Sequence, residues 1–282
     1  MHSTTLAHPV PQSRFCWDYW SIPGNFLYYR THASSFFGPE LHDPFFQFLS
    51  EWGLKNLGTA NINTNWISFY IDGCYQRLHI NRSQGAWAFA YSLSMNDAKK
   101  FMGGETLFLQ PQLLDYWESN ISGPDISTGG IYAKVPPLFN QMVIFDGRIP
   151  HAVQMVEGTR DPLEARIVMH GWFDRPSLRS DGALSLFEVK PVMDNFCASD
   201  LAAYFENASG KGIMTYRIEI ESTGTPSSVT CLSDTLVLSR ASESKLGSVA
   251  ARQRNVAEML AALKFPDADA GSTIIFPIEA IG

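Results

Sequence analysis

His79 and His151 are the residues from which chemistry can be built in this chain of 282 residues. Histidine is the commonest metal ligand and the one side chain whose ordinary pKa lies near neutral pH. His79 stands in YIDGCYQRLHINRSQ and His151 in VIFDGRIPHAVQM. Two positions after the first histidine comes Asn81. Residues i and i+2 of a strand share a face, so His79 and Asn81 could reach one metal together. Two histidines and a third ligand on a β-scaffold form the facial arrangement that holds Fe(II) and leaves coordination positions open. Arg166, on the next strand-like stretch, could anchor the carboxylate of a cosubstrate through its planar guanidinium. Arg160 is an alternative anchor, but it stands in the turn-like GTRDP rather than in a strand. A pair of histidines is by itself more often structural than metal-binding, so the surroundings decide.

Those surroundings are β-rich. The stretches NWISFYI, WAFAYSLS, ETLFLQP, NQMVIFD and ARIVMHGWF are short and rich in aromatic and β-branched residues. Gly, Pro, Asn and Asp separate them, which is the pattern of strands and turns. Their spacing predicts a sandwich or barrel rather than repeated βαβ units. Residues 39–57 carry apolar residues at helical spacing, with Phe45, Phe46, Phe48, Leu49, Trp52 and Leu54 on one face. The polar stretch from Gln112 to Pro137 has the length of a functional or mobile loop. Asp146 and Arg148 are placed to fix the turn that delivers His151, by pairing with each other or with Arg160 and Asp161. Glu105 reads as structural and His170 as a satisfied core histidine. Gln76 and Trp172 could line a substrate side.

The order of motifs between Tyr70 and Phe173 resembles that of the iron(II)- and 2-oxoglutarate-dependent oxygenases of the prolyl-4-hydroxylase-like branch. Their tyrosine strand corresponds to Tyr70, and their H-x-D to His79-Ile80-Asn81. A Y-x-L strand follows at Tyr91-Ser92-Leu93, then Gly103-Gly104-Glu105-Thr106-Leu107, then Phe145-Asp146-Gly147-Arg148-Ile149-Pro150-His151-Ala152-Val153. Arg166 opens the last strand, which ends in Trp172-Phe173. The resemblance implies a mostly β fold, a double-stranded β-helix or jelly roll with flanking helices. It implies Fe(II), 2-oxoglutarate and O2, with His79, Asn81 and His151 on the metal and Arg166 pairing with the distal carboxylate of 2-oxoglutarate. Tyr70 and Tyr91 would add hydroxyl donors to that cosubstrate. The implied reaction is hydroxylation of an unactivated C–H in an amino acid, a peptide or an amino-acid-like metabolite.

Asn81 departs from the pattern, which has an aspartate there. A carboxylate is a charged ligand; an amide is neutral and binds metal weakly through its oxygen. Asn81 could still ligate, or leave its position to water or an anion, or mark a degraded or deliberately altered site. Halogenase relatives replace the aspartate with Gly or Ala to seat chloride, for which Asn is bulky. A non-catalytic member, or one that halogenates, cyclises or desaturates, is therefore the alternative.

Composition bounds the rest. Hydrophobic residues make up 45% and charged residues 17%, enough for a core and too little charge for disorder. A formal net charge of −7 argues against nucleic acid as partner. Cys16, Cys74, Cys197 and Cys231 lie far apart, with no zinc or disulfide spacing. The N-terminal residues lack a secretory pattern and no apolar run is long enough to span a membrane, so a cytoplasmic protein is expected. All Trp and His lie before residue 173. This predicts two domains: residues 1–178 for the oxygenase-like part, a linker at 179–188, and a small α+β domain at 189–282. The last part reads strand, strand, helix, strand. It resembles the C-terminal domain of TonB-like proteins at Gly212 to Ile220, at Leu263-Lys264-Phe265-Pro266 and at Phe276-Pro277-Ile278. Glu279-Ala280 stands where that family has an aromatic. Such domains pair through strand edges, so a homodimer or a protein partner is expected here.

Overall fold

The computed structural model describes residues 18–81, 83–95, 100–110 and 131–280. It divides into two compact units. The first comprises Met1–Ser50 with Asn61–Arg175, the second Glu51–Ala60 with Pro176–Gly282.

In the first unit β1 (Asp18–Ile22) and β2 (Phe26–His32) form a hairpin, followed by a helical turn α1 (Ala33–Phe36) and helix α2 (Pro39–Asn56). Then come β3 (Trp66–Tyr70), β4 (Tyr75–His79), β5 (Trp87–Ser92), β6 (Thr106–Leu109), β7 (Tyr132–Val135), β8 (Met142–Asp146), β9 (His151–Val153) and β10 (Arg166–Phe173). The strands form one ten-stranded sheet in the order β7-β6-β9-β4-β2-β3-β10-β5-β8, with β1 on β2. Every pairing is antiparallel. The sheet curls on itself: Phe108 of β6 and Phe145 of β8, far apart in strand order, meet edge to face with centroids 4.7 Å apart. This curled antiparallel sheet is the expected jelly roll.

Strand alternation sorts side chains to the two faces. On β10, Ile167 and Met169 pack with Ile67, Phe69, Ala33 and Phe36, and Leu41 and Phe45 of α2 close over them. Each large apolar side chain buried this way contributes about 1.5–3 kcal/mol. The intervening residues Arg166, Val168, His170 and Trp172 face the inside of the curl. On α2, Leu49 is buried as expected, but Phe48 is 58% exposed. The apolar stripe is narrower than the run of phenylalanines suggests. The end of the expected loop, Tyr132 to Val135, is a strand paired residue by residue with Thr106 to Leu109 of β6. Residues 112–130 of that loop, with Cys16, Trp17, Trp117, His2 and His8, lie outside the described residues.

The second unit is built on β11 (Arg179–Gly182), β12 (Gly210–Ile220), β13 (Pro226–Asp234), β14 (Val237–Leu238) and β15 (Ser272–Ala280). Their order is β11-β15-β12-β13, with β14 on β12. Helices α3 (Leu186–Phe196), α4 (Arg240–Leu246) and α5 (Val249–Ala261) complete it. Val189, Met193, Phe196, Val256 and Leu260 join Tyr216, Ile218, Ile274 and Phe276 in one core. The expected linker at 179–188 is structured. Arg179 to Gly182 pairs with β15, and Ser185 caps α3 through a reciprocal capping box with Glu188. Residues 51–60 belong to this unit as well, because Arg217 Nη2 donates to Lys55 O at 2.9 Å and Gly58 lies against Thr215 and Ile275. At φ +78° and with a Cβ that would stand 2.7 Å from Thr215, only glycine fits there. No described helix is long and apolar enough to cross a membrane.

Candidate functional site

The inside of the curl is a cavity of about 380 Å³, within the range of small-molecule sites. His79 reaches it through an irregularity. Gln76 of β4 pairs with Val153 and His79 with His151, and the register shifts between them. Strict alternation from Gln76 would turn residues 78 and 80 inward. Instead Leu78 and Ile80 are 45% and 52% exposed, while Gln76, His79 and Asn81 line the cavity. The bulge thus re-aims the histidine. Asn81 is tied next to the turn before β9, its N–H donating to Gly147 O at 2.7 Å. In that turn buried Asp146 accepts from Arg148 Nη2 at 2.6 Å and from the Arg148 backbone N–H at 2.9 Å. This is the first of the two pairings the sequence allows.

The rings of His79 and His151 stand 4.3 Å apart. Each donates from Nδ1 to the carbonyl two residues before it, His79 to Arg77 O and His151 to Ile149 O, both at 2.8 Å. A carbonyl only accepts, so Nδ1 carries the proton and Nε2 of the neutral ring is bare. Burial lowers both pKa values, His151 to about 4 with a further push from His79. Neutral rings with fixed Nδ1 protons are the form in which imidazole binds metal. The Asn81 amide lies 3.0 Å from His151 Nε2 and donates to it. Half a turn about its last torsion would bring Oδ1 to the same point, where it would need a cation between itself and Nε2. Two imidazoles and an amide oxygen therefore fit a divalent metal. Among the described residues no group of three His, Cys, Asp or Glu gathers to hold one.

Arg166 is 4% exposed. Its Nε donates to Gly104 O at 2.7 Å and its Nη2 to Thr106 Oγ1 at 3.2 Å, and its guanidinium carbon lies 4.7 Å from the Tyr70 ring centre. Nη1 is buried with no acceptor among the described residues. Gly104 makes room: its φ is positive, and a Cβ there would stand 2.9 Å from Arg166 Cδ. Tyr70 stacks on Tyr28 at 5.1 Å, and burial raises its pKa. His170 lines the cavity instead of sitting in the core, with Nε2 2.8 Å from Ser68 Oγ. Burial, then Arg166 and Arg30, lower its pKa to about 3.

Two expected candidates are elsewhere. Tyr91 lies on the other face of β5, against Phe45, with its hydroxyl on Asn140; Ala88 and Ala90 are the β5 residues whose parity turns them inward. Arg160 is 85% exposed and pairs with Asp72. Sequence reasoning missed Trp20, Tyr28, Arg30 and Trp66, which also line the cavity. The alternation of FLYYRTH would have put Tyr28 and Arg30 on one face.

No protein-family model and no curated protein matches the sequence. Among solved structures the chain is similar to a prolyl-4-hydroxylase from Pseudomonas putida, at 15% identity over 56% of this chain and 77% of that one, with a TM-score of 0.38. It is similar to a 2OG-Fe(II) oxygenase family oxidoreductase from Burkholderia pseudomallei, at 13% identity over 58% and 75%, TM-score 0.40. It is also similar to a prolyl hydroxylase from Trichoplax adhaerens in complex with an oxygen degradation domain peptide of hypoxia inducible factor. There the identity is 18% over 40% of this chain and 44% of that one, TM-score 0.28. The functional reading rests on the chain's own residues.

Proposed function

We propose that the first unit is an Fe(II)- and 2-oxoglutarate-dependent dioxygenase that hydroxylates an unactivated C–H of an amino acid, a peptide or an amino-acid-like metabolite. The observation that carries this is one cavity holding both a facing pair of neutral histidines and a buried arginine with a free N–H. His79, His151 and Asn81 would hold the metal. Arg166 would take the distal carboxylate of 2-oxoglutarate through Nη1, while Gly104 O and Thr106 Oγ1 keep the guanidinium in place. Tyr70 would bound the same anion. Bound Fe(II) and 2-oxoglutarate supply the oxidising power with O2; the protein contributes placement and a largely apolar enclosure. The alternative, a non-catalytic or altered-outcome protein, is favoured by the hydrogen bond from Asn81 to His151, which occupies the lone pair a metal would take.

Anaerobic titration with Fe(II) and 2-oxoglutarate tests the site by its visible charge-transfer band. A band in the native protein that is lost in His79→Ala supports the reading; no band in the native protein sinks it. We propose a cytoplasmic setting on the three free thiols Cys74, Cys197 and Cys231. For the second unit we propose pairing, with a second copy or another protein, along β13, which ends its sheet's strand order.

A further inference from the structure

The cavity carries a charge pattern that the chain as a whole does not. The protein has 28 acidic side chains against 21 Lys and Arg. Yet among the described residues no Asp or Glu lines the cavity, while Arg30 and Arg166 both do. Two carboxylates act from outside its wall: Asp18, about half exposed, 3.7 Å from Arg30 Nε, and Glu105 beside Arg166. The 2-oxoglutarate reading accounts for Arg166 and leaves Arg30 unexplained.

Arg30 is built into the wall with care. Its guanidinium carbon lies 3.9 Å from the ring centre of Trp20 and 4.0 Å from that of Trp66. The two indoles hold the flat group by its faces and strip water from them, so only its edge can donate. Its side chain is 15% exposed, and Nε is buried with no hydrogen-bond partner among the described residues. A second buried donor, Trp172 Nε1, also lacks an acceptor and lines the same cavity. Desolvated donors left unpaired cost stability, and a ligand that accepts from them recovers it. The strand register sets the distance between the cations. Arg30 on β2 faces Ser68 of β3, and Arg166 on β10 faces Tyr70, two residues further along. Two strand spacings and two residues put their backbones about 12 Å apart. That leaves room for a second ligand beside one at Arg166.

We propose that Arg30 is the substrate's anchor, and that the substrate carries a carboxylate on an apolar body. The carboxylate takes the edge of Arg30, beside the Tyr28 hydroxyl that already hydrogen-bonds there and in place of the looser Asp18 pair, with Trp172 Nε1 as a second donor, and the body lies along the cavity toward the histidines. A carboxylate, planar with two oxygens, matches an arginine edge; among the described residues the wall has no lysine or helix start of the kind that gathers around phosphate. This names the substrate class for the oxygenase reading, and rests on that reading only in giving Arg166 to 2-oxoglutarate.

The test uses N-acetyl-L-leucine, N-acetyl-L-phenylalanine and N-acetyl-L-proline, each paired with its primary amide. Binding is read by calorimetry with Mn(II), with and without 2-oxoglutarate. At least one acid is expected to bind about 10- to 100-fold more tightly than its amide. Arg30→Gln is expected to erase that preference and leave 2-oxoglutarate affinity unchanged, while Arg30→Lys keeps a weaker preference. The proposal is overturned if no acid binds better than its amide, or if the preference survives in Arg30→Gln. It is also overturned if Arg30→Gln, rather than Arg166→Met, loses 2-oxoglutarate. Should the variants fail to fold, the acid–amide comparison on the native protein decides alone. A native protein that prefers the acids but never binds 2-oxoglutarate keeps this inference and loses the oxygenase reading.

Discussion

Replacing Arg166 by methionine separates a binding arginine from a structural one. The free protein loses the bonds to Gly104 O and Thr106 Oγ1, the contact with the Tyr70 ring and the attraction of Glu105, which accepts no hydrogen bond from Arg166. Two hydrogen bonds at about 1 kcal/mol each and a buried cation–π contact of about 1–2 kcal/mol sum to about 3–4 kcal/mol. Against this, methionine removes a buried cation whose Nη1 has no acceptor among the described residues, and relief of that kind is worth several kcal/mol. The two nearly cancel, so Arg166→Met changes stability by no more than about 2 kcal/mol, or about 8 °C in Tm for a unit of this size. The effect on ligand is one-sided. Losing a charge-assisted pair worth about 3 kcal/mol raises Kd about 150-fold. At a 2-oxoglutarate concentration 100 times the native Kd, ligand stabilises the native protein by about 2.7 kcal/mol and the variant by about 0.3 kcal/mol. Thermal melts with and without 2-oxoglutarate read both numbers. A variant that melts more than about 10 °C lower yet keeps the native ligand shift would refute the reasoning and make Arg166 a structural residue.

Other substitutions probe neighbouring links. Asn81→Asp adds a charged oxygen beside His151 and is expected to tighten Mn(II) binding by about tenfold or more; unchanged affinity would remove position 81 from the metal. His170 is held neutral with its pKa lowered to about 3, so the unfolded chain takes up a proton below about pH 6.5 that the folded chain refuses. Stability is therefore lost as pH falls from about 6.5 toward 3, and His170→Gln should flatten that slope by up to about 1.4 kcal/mol per pH unit, as read in denaturant melts at pH 6 and pH 4. An equal slope in the variant would show that His170 is protonated in the fold. In the second unit Arg252→Met leaves Asp234, 2% exposed, without its cation and with only the neutral donors Leu236 N–H and Gln253 Nε2, and should cost about 3–5 kcal/mol in chemical denaturation; a neutral result would show that those donors and water suffice for Asp234.

The strands of the first unit were readable because each is a short aromatic and β-branched run between turn residues. The histidines and Arg166 were readable by their spacing and neighbours. What the pattern hides is parity. Tyr91 looks like a cavity tyrosine until β5 is seen to turn Ala88 and Ala90 inward and Tyr91 toward α2. His79 is the opposite case: a period-two count from Gln76 points it outward, and the bulge in β4 brings it in. Bulges come from pairing with a distant strand, here β9, and leave no local mark. The β1–β2 hairpin escaped notice because DYWSI and FLYYRTH are aromatic on both faces, although Gly24, at φ +80°, marks the turn between them. With the hairpin went Trp20 and Arg30, half of the cavity's positive wall.

The two buried arginines show how function can be argued from what a side chain lacks. Arg252 and Arg166 are 2% and 4% exposed. Arg252 also has a buried N–H left over, at Nε, but it has a carboxylate at 3.0 Å and donates to Leu236 O as well, so its charge is answered within the fold and its removal is expected to damage only the fold. Arg166 has a carbonyl, a hydroxyl and a ring, all neutral, and one N–H left over, while the Glu105 carboxylate beside it accepts no hydrogen bond from it. A fold under selection for stability alone would replace such a group by a hydrocarbon at little loss. Its place, with a glycine making room against its stem and a pair of histidines in the same cavity, is accounted for if the missing acceptor arrives with the ligand. Arg30, held by two indoles and answered only by an exposed carboxylate at 3.7 Å, meets the same criterion. One cavity with two cations, each answered only by a carboxylate outside the wall, and with no Asp or Glu in that wall among the described residues, is a site for two anions, and a cosubstrate beside a carboxylate-bearing substrate is what satisfies both.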